Sequence, residues 1–239
     1  MAAAAKRVHF DSTTCPYAQR SWVALIEKGL DFEIRKVDLQ NKDAEFVSTY
    51  HSINPNEEAP AKVPILLDGD VRLVESGVIV DYLNKRYPEP PLEPADAAAA
   101  AKARLFIELF NSHFTGNMFG LYSTETKEQV EQARAKLAAG IKVLDSTLRL
   151  HGSEEGGDYF LGGFYSVAEV FTTGFVQRGL ASLKEYRGVD LAELVKEVGA
   201  DRFERWMHAA LARPSAQQTK PADDVIVEGL RKYVAPFKS

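Results

Sequence analysis

The single cysteine of this 239-residue chain, Cys15, stands in the stretch Ser12-Thr13-Thr14-Cys15-Pro16-Tyr17-Ala18. The residues around it predict a loop between a strand and a helix, with Pro16 at the first helical position. At such a place the unpaired amides and the helix dipole favour thiolate over thiol, and can lower a cysteine pKa by roughly one to several units from ~8.5. The competing account is a small buried hydrophobe, which is what a lone cysteine usually is. Glu75-Ser76 follows a run of strand character and precedes one of helical character. Its side chains and amides can hold a carboxylate and an ammonium together, or can simply cap the helix. Lys62, just before Val63-Pro64, can pair with a carboxylate or stand as a solvated surface lysine.

Other chemistries are absent from the pattern. One cysteine excludes an internal disulfide, a Cys-x-x-Cys pair and a thiolate-rich zinc site, and points to a reducing compartment. The five histidines have no ligand spacing, so no metal is expected, and there is no glycine-rich phosphate loop. A formal charge of −5 gives no basic footprint for nucleic acid or an anionic membrane. No run approaches the ~20 apolar residues of a membrane span, and the stretch Met-Ala-Ala-Ala-Ala-Lys-Arg is too short and weakly apolar for a signal peptide. The expectation is a cytoplasmic protein acting on small molecules, with no nucleic-acid or membrane partner. Tyr17, Met118, Phe119 and Tyr122 could line an apolar pocket, although aromatics at helical spacing more often belong to a core.

The elements that must position these residues follow from periodicity. Val8 and Phe10 alternate with polar neighbours from Arg7 to Asp11, as in a half-buried strand. Ala18, Trp22, Leu25 and Ile26 recur at helical spacing, and Gly29 stands where a helix end needs a left-handed residue. Phe32 to Val37 reads as a second strand, and His51 to Ala61 as a turn-rich stretch. Val63–Leu67 and Val71–Val74 around Asp68-Gly69 predict a hairpin, in which Pro64 must lie at the strand's start, at an edge or in a special turn. Val78, Ile79, Tyr82 and Leu83 then share one helical face ending before Pro88.

Pro88, Pro90, Pro91 and Pro94 crowd the best domain boundary, and beyond them the pattern is helical throughout. It begins at Ala97–Ala101 and continues through Leu105, Phe106, Leu109, Phe110 and Phe114. Val130, Leu137, Ile141, Leu144 and Leu148 mark another amphipathic helix. Gly152–Asp158 is a loop. Ser166-Val167-Ala168-Glu169 fits a capping box, and a helix around Trp206 stops before Pro214.

Taken together these pieces resemble the cytosolic glutathione transferases along nearly the whole chain. The likeness is carried by Cys15-Pro16-Tyr17-Ala18-Gln19-Arg20, Lys62-Val63-Pro64-Ile65-Leu66 and Glu75-Ser76 with Ile79 and Tyr82-Leu83. In the helical half it is carried by Phe160-Leu161-Gly162-Gly163 leading into Ser166–Glu169, and by Trp206 with Arg213-Pro214-Ser215. The resemblance implies an α/β thioredoxin-like N-terminal domain at residues 5–88, a linker at 89–96 and an all-α C-terminal domain at 97–239. It further implies a cis proline at Pro64, backbone contacts from Val63 to glutathione's cysteinyl part, and a γ-glutamyl end held by Glu75 and Ser76. Lys62 joins this glutathione-binding set, though the stretch Asn54–Ala61 is longer than the family's usual link and Glu169 stands where aspartate is usual.

Cys-Pro-Tyr-Ala-Gln-Arg is most similar to the cysteine-containing omega, lambda and dehydroascorbate-reductase branches. The activity implied is glutathione-dependent thiol transfer, deglutathionylation or dehydroascorbate-like reduction. In that reaction Cys15 is catalytic, glutathione is the co-substrate, and the partner is a small electrophilic or oxidised thiol substrate. Ser12, Thr13 or Thr14 acting in a serine-type conjugation or isomerisation, and a non-catalytic ligand- or protein-binding member of the fold, stand as alternatives. A homodimer is left open.

Overall fold

The computed structural model describes residues 7–238, so the stretch before Arg7 and the expected domain bounds at 5 and 239 lie outside the described residues. The chain forms two compact units divided after Leu92. The first runs β1 (Val8–Asp11), α1 (Pro16–Glu27), β2 (Glu33–Lys36), α2 (Ala44–His51), β3 (Ile65–Asp68), β4 (Val71–Val74) and α3 (Ser76–Arg86). Its sheet has the order β2-β1-β3-β4, with β1 parallel to β2 and antiparallel to β3, and β3 antiparallel to β4.

Strand β1 departs from the alternation expected of it, because all four of its residues are buried. A central strand in a sheet covered on both faces has no solvent side. Val8 and Phe10 enter a cluster with Phe46, Tyr50 and Ile65, whereas His9 bonds Ser21 of α1. Helix α1 begins at Pro16, and the chain turns at Gly29 with φ of 61°. Helix α2 occupies the segment between the second strand and the turn-rich stretch that begins at His51, where the sequence pattern predicts no element. Asp43 caps it by accepting from the Phe46 amide at 2.7 Å, and Phe46 and Tyr50, one turn apart, fill the cluster under the sheet.

The hairpin pairs Asp68 with Val71, so its two central residues are Gly69 and Asp70. Positive φ is confined to Gly69, the pattern of a II′ turn. Pro64 precedes the first residue of β3 and takes no place in the ladder. In α3 the buried face is Ile79, Val80 and Leu83, while Val78 is 52% exposed.

The second unit is helical: α4 (Ala97–Phe110), a π-helical segment Asn111–Thr115, α5 (Gly116–Tyr122), α6 (Lys127–His151), α7 (Val167–Arg187), α8 (Leu191–Glu197), α9 (Asp201–Ala212), α10 (Pro214–Thr219) and α11 (Asp223–Leu230). Phe106, Phe110, Phe114, Phe160, Phe203 and Trp206 build its aromatic core. Val130, Leu137, Ile141, Leu144 and Leu148 are all buried on α6, whereas Leu105 of α4 is exposed.

Ser166 and Glu169 form the capping box of α7, and the longer glutamate reaches further than the cap requires. One of its oxygens accepts from the Ser166 amide and hydroxyl, both at 3.0 Å, and the other from the Phe160 amide at 2.7 Å and the Trp206 indole at 2.9 Å. Burial pushes this carboxyl's pKa up, and the four donors oppose that shift.

Candidate functional site

Strand directions decide which loops meet. Phe10 near the end of β1 pairs with Ile65 at the start of β3, and Ile65 pairs with Val74 at the end of β4. The loop that follows β1, the Val63-Pro64 peptide ahead of β3, and Glu75-Ser76 after β4 therefore share one edge of the sheet. Those are the segments holding Cys15, Val63, Pro64, Glu75 and Ser76.

Cys15 is the N-cap residue of α1, with φ of −82° and ψ of 112°. Its amide donates to the Ser12 carbonyl at 2.9 Å, closing the loop, and its carbonyl accepts from the Gln19 amide as the first helical bond. Its side chain does not cap the helix. The thiol is half-buried and packs against the apolar cluster that contains Ala61 and Val63. It thus lies at the positive end of a 12-residue helix dipole.

Beside it, Tyr17, Tyr50, Lys62, Val63, Pro64, Val74, Glu75 and Ser76 line a cavity of about 210 Å³. All five of the glutathione-binding residues read from the sequence lie on it. Cys15 is not part of the lining. The Val63–Pro64 peptide is cis. Lys62 is exposed and makes no ion pair among the described residues, and Glu75 makes none either. An uncompensated ammonium and an uncompensated carboxylate therefore face one hollow, which suits a ligand carrying both charges.

Glu75 precedes the N-terminus of α3 with φ of 69° and ψ of 111°, the one positive φ among the described non-glycine residues. That backbone costs on the order of 1–3 kcal/mol, and such costs gather at functional sites. Ser76, buried, opens the helix. The first amides of α3 have no intrahelical acceptor, and Glu75 does not cap them with its side chain, so they are free to bind an anion.

The family model for the glutathione S-transferase N-terminal domain matches residues 10–91, the region that builds this cavity. A "Probable glutathione transferase" of Aplysia californica is 33% identical over 93 residues, which cover 39% of this chain and 92% of that protein. The chain belongs to the glutathione transferases. Glutathione S-transferase Z1 of Arabidopsis thaliana is 46% identical over 79 residues, and the match spans a third of each protein: 33% of this chain and 34% of the relative. A rice glutathione transferase solved in complex with glutathione is similar over 95% of this chain and 97% of its own, with 26% identity and a TM-score of 0.76. The thioredoxin-like unit followed by a helical unit is the glutathione transferase fold.

Three further residues line the cavity of this glutathione transferase: Tyr17, Val74 and Tyr50. Of the four residues that could line an apolar pocket, Met118 and Tyr122 are core, whereas Tyr17 is 44% exposed on the cavity and stacks on the Arg20 guanidinium at 4.8 Å. Its place two residues after Cys15, on the first turn, was the available signal. Tyr50 went unread because α2 did. Asp43 as a cap with Phe46 and Tyr50 one turn apart would have revealed both.

Proposed function

We propose that this chain is a cysteine-type glutathione transferase, similar to the omega, lambda and dehydroascorbate-reductase branches, which exchanges glutathionyl groups through a mixed disulfide on Cys15. The observation that carries the reading is the place of Cys15 at the N-cap of α1, where the helix dipole favours thiolate and the side chain is not consumed as a cap. The thiolate attacks the glutathionyl sulfur of a mixed disulfide substrate. A Cys15–glutathione disulfide forms, the old sulfur–sulfur bond breaks, and the substrate thiolate leaves and takes a proton from water. A second glutathione, as thiolate, then attacks the glutathionyl sulfur, releasing oxidised glutathione and restoring Cys15. Since the chain has no other cysteine, this second thiol must come from outside.

The cavity supplies the holding groups. The Glu75 carboxylate takes the γ-glutamyl ammonium, Ser76 and the α3 amides take its carboxylate, the Val63 backbone takes the cysteinyl part, and Lys62 takes the glycyl carboxylate. Dehydroascorbate-like acceptors carry no disulfide, so the Cys15 thiolate adds instead to a carbonyl carbon. A glutathione thiolate then attacks the Cys15 sulfur, and the carbon–sulfur bond breaks to release the reduced acceptor, which takes up two protons from water. A second glutathione clears the Cys15–glutathione disulfide, so that two glutathiones supply two electrons.

Mass spectrometry of the intact protein after oxidised glutathione tests this directly: one adduct on Cys15 is expected, cleared by reduced glutathione. Initial rates with a glutathionylated model substrate should give parallel double-reciprocal lines. Cys15→Ser should abolish both. Conjugation that survives Cys15→Ser, with intersecting lines and no adduct, would transfer the chemistry to Ser12, Thr13 or Thr14. Ligand binding unchanged by the substitution, with no turnover in either protein, would leave a carrier.

A further inference from the structure

Tyr50 lies on the cavity with nothing in the proposed reaction assigned to it. It is 3% exposed, so almost all of the ring is held by the core, where it belongs to the same cluster as Ala61 and Val63. Those two residues flank Lys62 in the chain. Its hydroxyl oxygen accepts from the Asn54 side-chain amide at 3.0 Å. Asn54 is anchored in turn, its own amide donating to the Tyr50 carbonyl at 2.9 Å. A phenol that accepts one bond keeps its proton to donate, and among the described residues no acceptor takes it.

We propose that Tyr50 is a specificity residue of the glutathione site, donating its hydroxyl proton to the glycyl carboxylate beside Lys62. The inference rests on the glutathione-binding reading given above. Two donors of different kinds then meet one carboxylate. The Lys62 ammonium is a flexible, hydrated point charge, whereas the phenol is fixed by its ring and by Asn54. A buried donor left without its partner is costly. The pair therefore distinguishes a thiol peptide that carries a carboxylate at this position from one that ends earlier. The ligand class selected is the complete γ-glutamyl-cysteinyl-glycine over γ-glutamylcysteine.

Calorimetry on the full chain with reduced glutathione and with γ-glutamylcysteine tests this. Tyr50→Phe should weaken glutathione roughly ten-fold, the effect of a hydrogen bond to a charged group, and leave γ-glutamylcysteine unchanged. The preference between the two ligands should collapse by the same factor. Equal losses on both ligands, or no loss on either, would overturn the proposal. Should Tyr50→Phe lower the melting temperature, Asn54→Ala gives the second reading. It leaves the tyrosine in place, removes the contact that orients it, and should reduce the ligand preference in the same direction; an unchanged preference would count against the proposal. A wild-type chain that binds neither ligand would overturn the glutathione reading itself, a result distinct from any difference between the variants.

Discussion

His9 gives the most direct test of how this fold treats charge. It sits in the central strand β1, fully buried. Its Nε2 lies 2.8 Å from the Ser21 hydroxyl, which itself donates to the Ala18 carbonyl at 3.0 Å. Since the hydroxyl proton is already directed at Ala18, Nε2 must be the donor. Nδ1 is then the bare nitrogen, buried without a hydrogen-bond partner. A proton added there would create a cation with no acceptor. Burial, followed by the positive charge of Lys36, depresses the His9 pKa to about 3 from 6.5.

Above pH 6.5 His9 is neutral folded or unfolded and contributes no pH dependence. Between 6.5 and 3 the unfolded chain binds a proton that the folded chain refuses, so stability falls with falling pH by about 1.4 kcal/mol per pH unit. At pH 5 the loss is about 2 kcal/mol, and it levels off once the folded imidazole also titrates. His9→Gln keeps an N–H donor for Ser21 and does not titrate. Urea unfolding of both proteins at pH 7.5 and pH 5 gives a double difference from which the carboxylates common to both cancel. The variant should gain about 2 kcal/mol on the wild type as pH drops. A difference between the two proteins that does not change with pH would refute the assignment of a neutral, acceptor-less Nδ1.

Glu75→Gly and Glu75→Ala should both weaken glutathione by roughly ten-fold or more, since each removes the carboxylate. Only glycine accepts a φ of 69° without strain, so the glycine variant should melt about 2–4 °C above the alanine variant for each kcal/mol of relief; the opposite order in a thermal melt would refute the strain. Whichever way its amide is turned, Glu169→Gln sets an NH2 against at least one N–H donor (Phe160 and Trp206 on one side, Ser166 on the other), at a cost of about 1–3 kcal/mol for each one left unsatisfied. Equal denaturation midpoints for this variant and the wild type would show that the four bonds do not require a carboxylate.

What could be read from the sequence was whatever a short segment encodes alone. Pro16 and Gly29 bracket α1, the hairpin follows from Asp68-Gly69 between apolar runs, and the apolar positions of α6 are the buried ones. The misreadings share a cause, since each depended on what lay beyond the segment. His9 and Asp11 look like the wet face of a strand until a second layer covers them. Val78 fits the helical stripe of α3 but points away from the packed side. Helix α2 is short and its aromatics become meaningful only against β1 and β3. The five residues expected to bind glutathione were legible as chain neighbours in two loops, but their meeting on one cavity depends on β3 and β4 running antiparallel, and Tyr50 joins them only through α2.

That antiparallel pairing also divides the labour of the thioredoxin-like unit between its two edges. At the edge of Cys15 and Glu75 the chain keeps a positive φ on a non-glycine residue and two charges without ion-pair partners, choices that oppose stability locally. At the opposite edge every polar group of one network is satisfied. The Asp68 carboxylate, at the end of β3, accepts from Arg7 at 2.9 Å and from the hydroxyls of Tyr82 and Tyr87 at 2.9 and 2.6 Å. Arg7 also donates to the Asp31 carbonyl ahead of β2 and to the Tyr87 hydroxyl. One carboxylate thereby ties the start of β1, the end of β3 and the C-terminal part of α3, while α3 presents its other end to the cavity. The strands and helix that carry the binding loops are thus fixed at their far ends, so the near ends can hold a strained, charged site without moving apart.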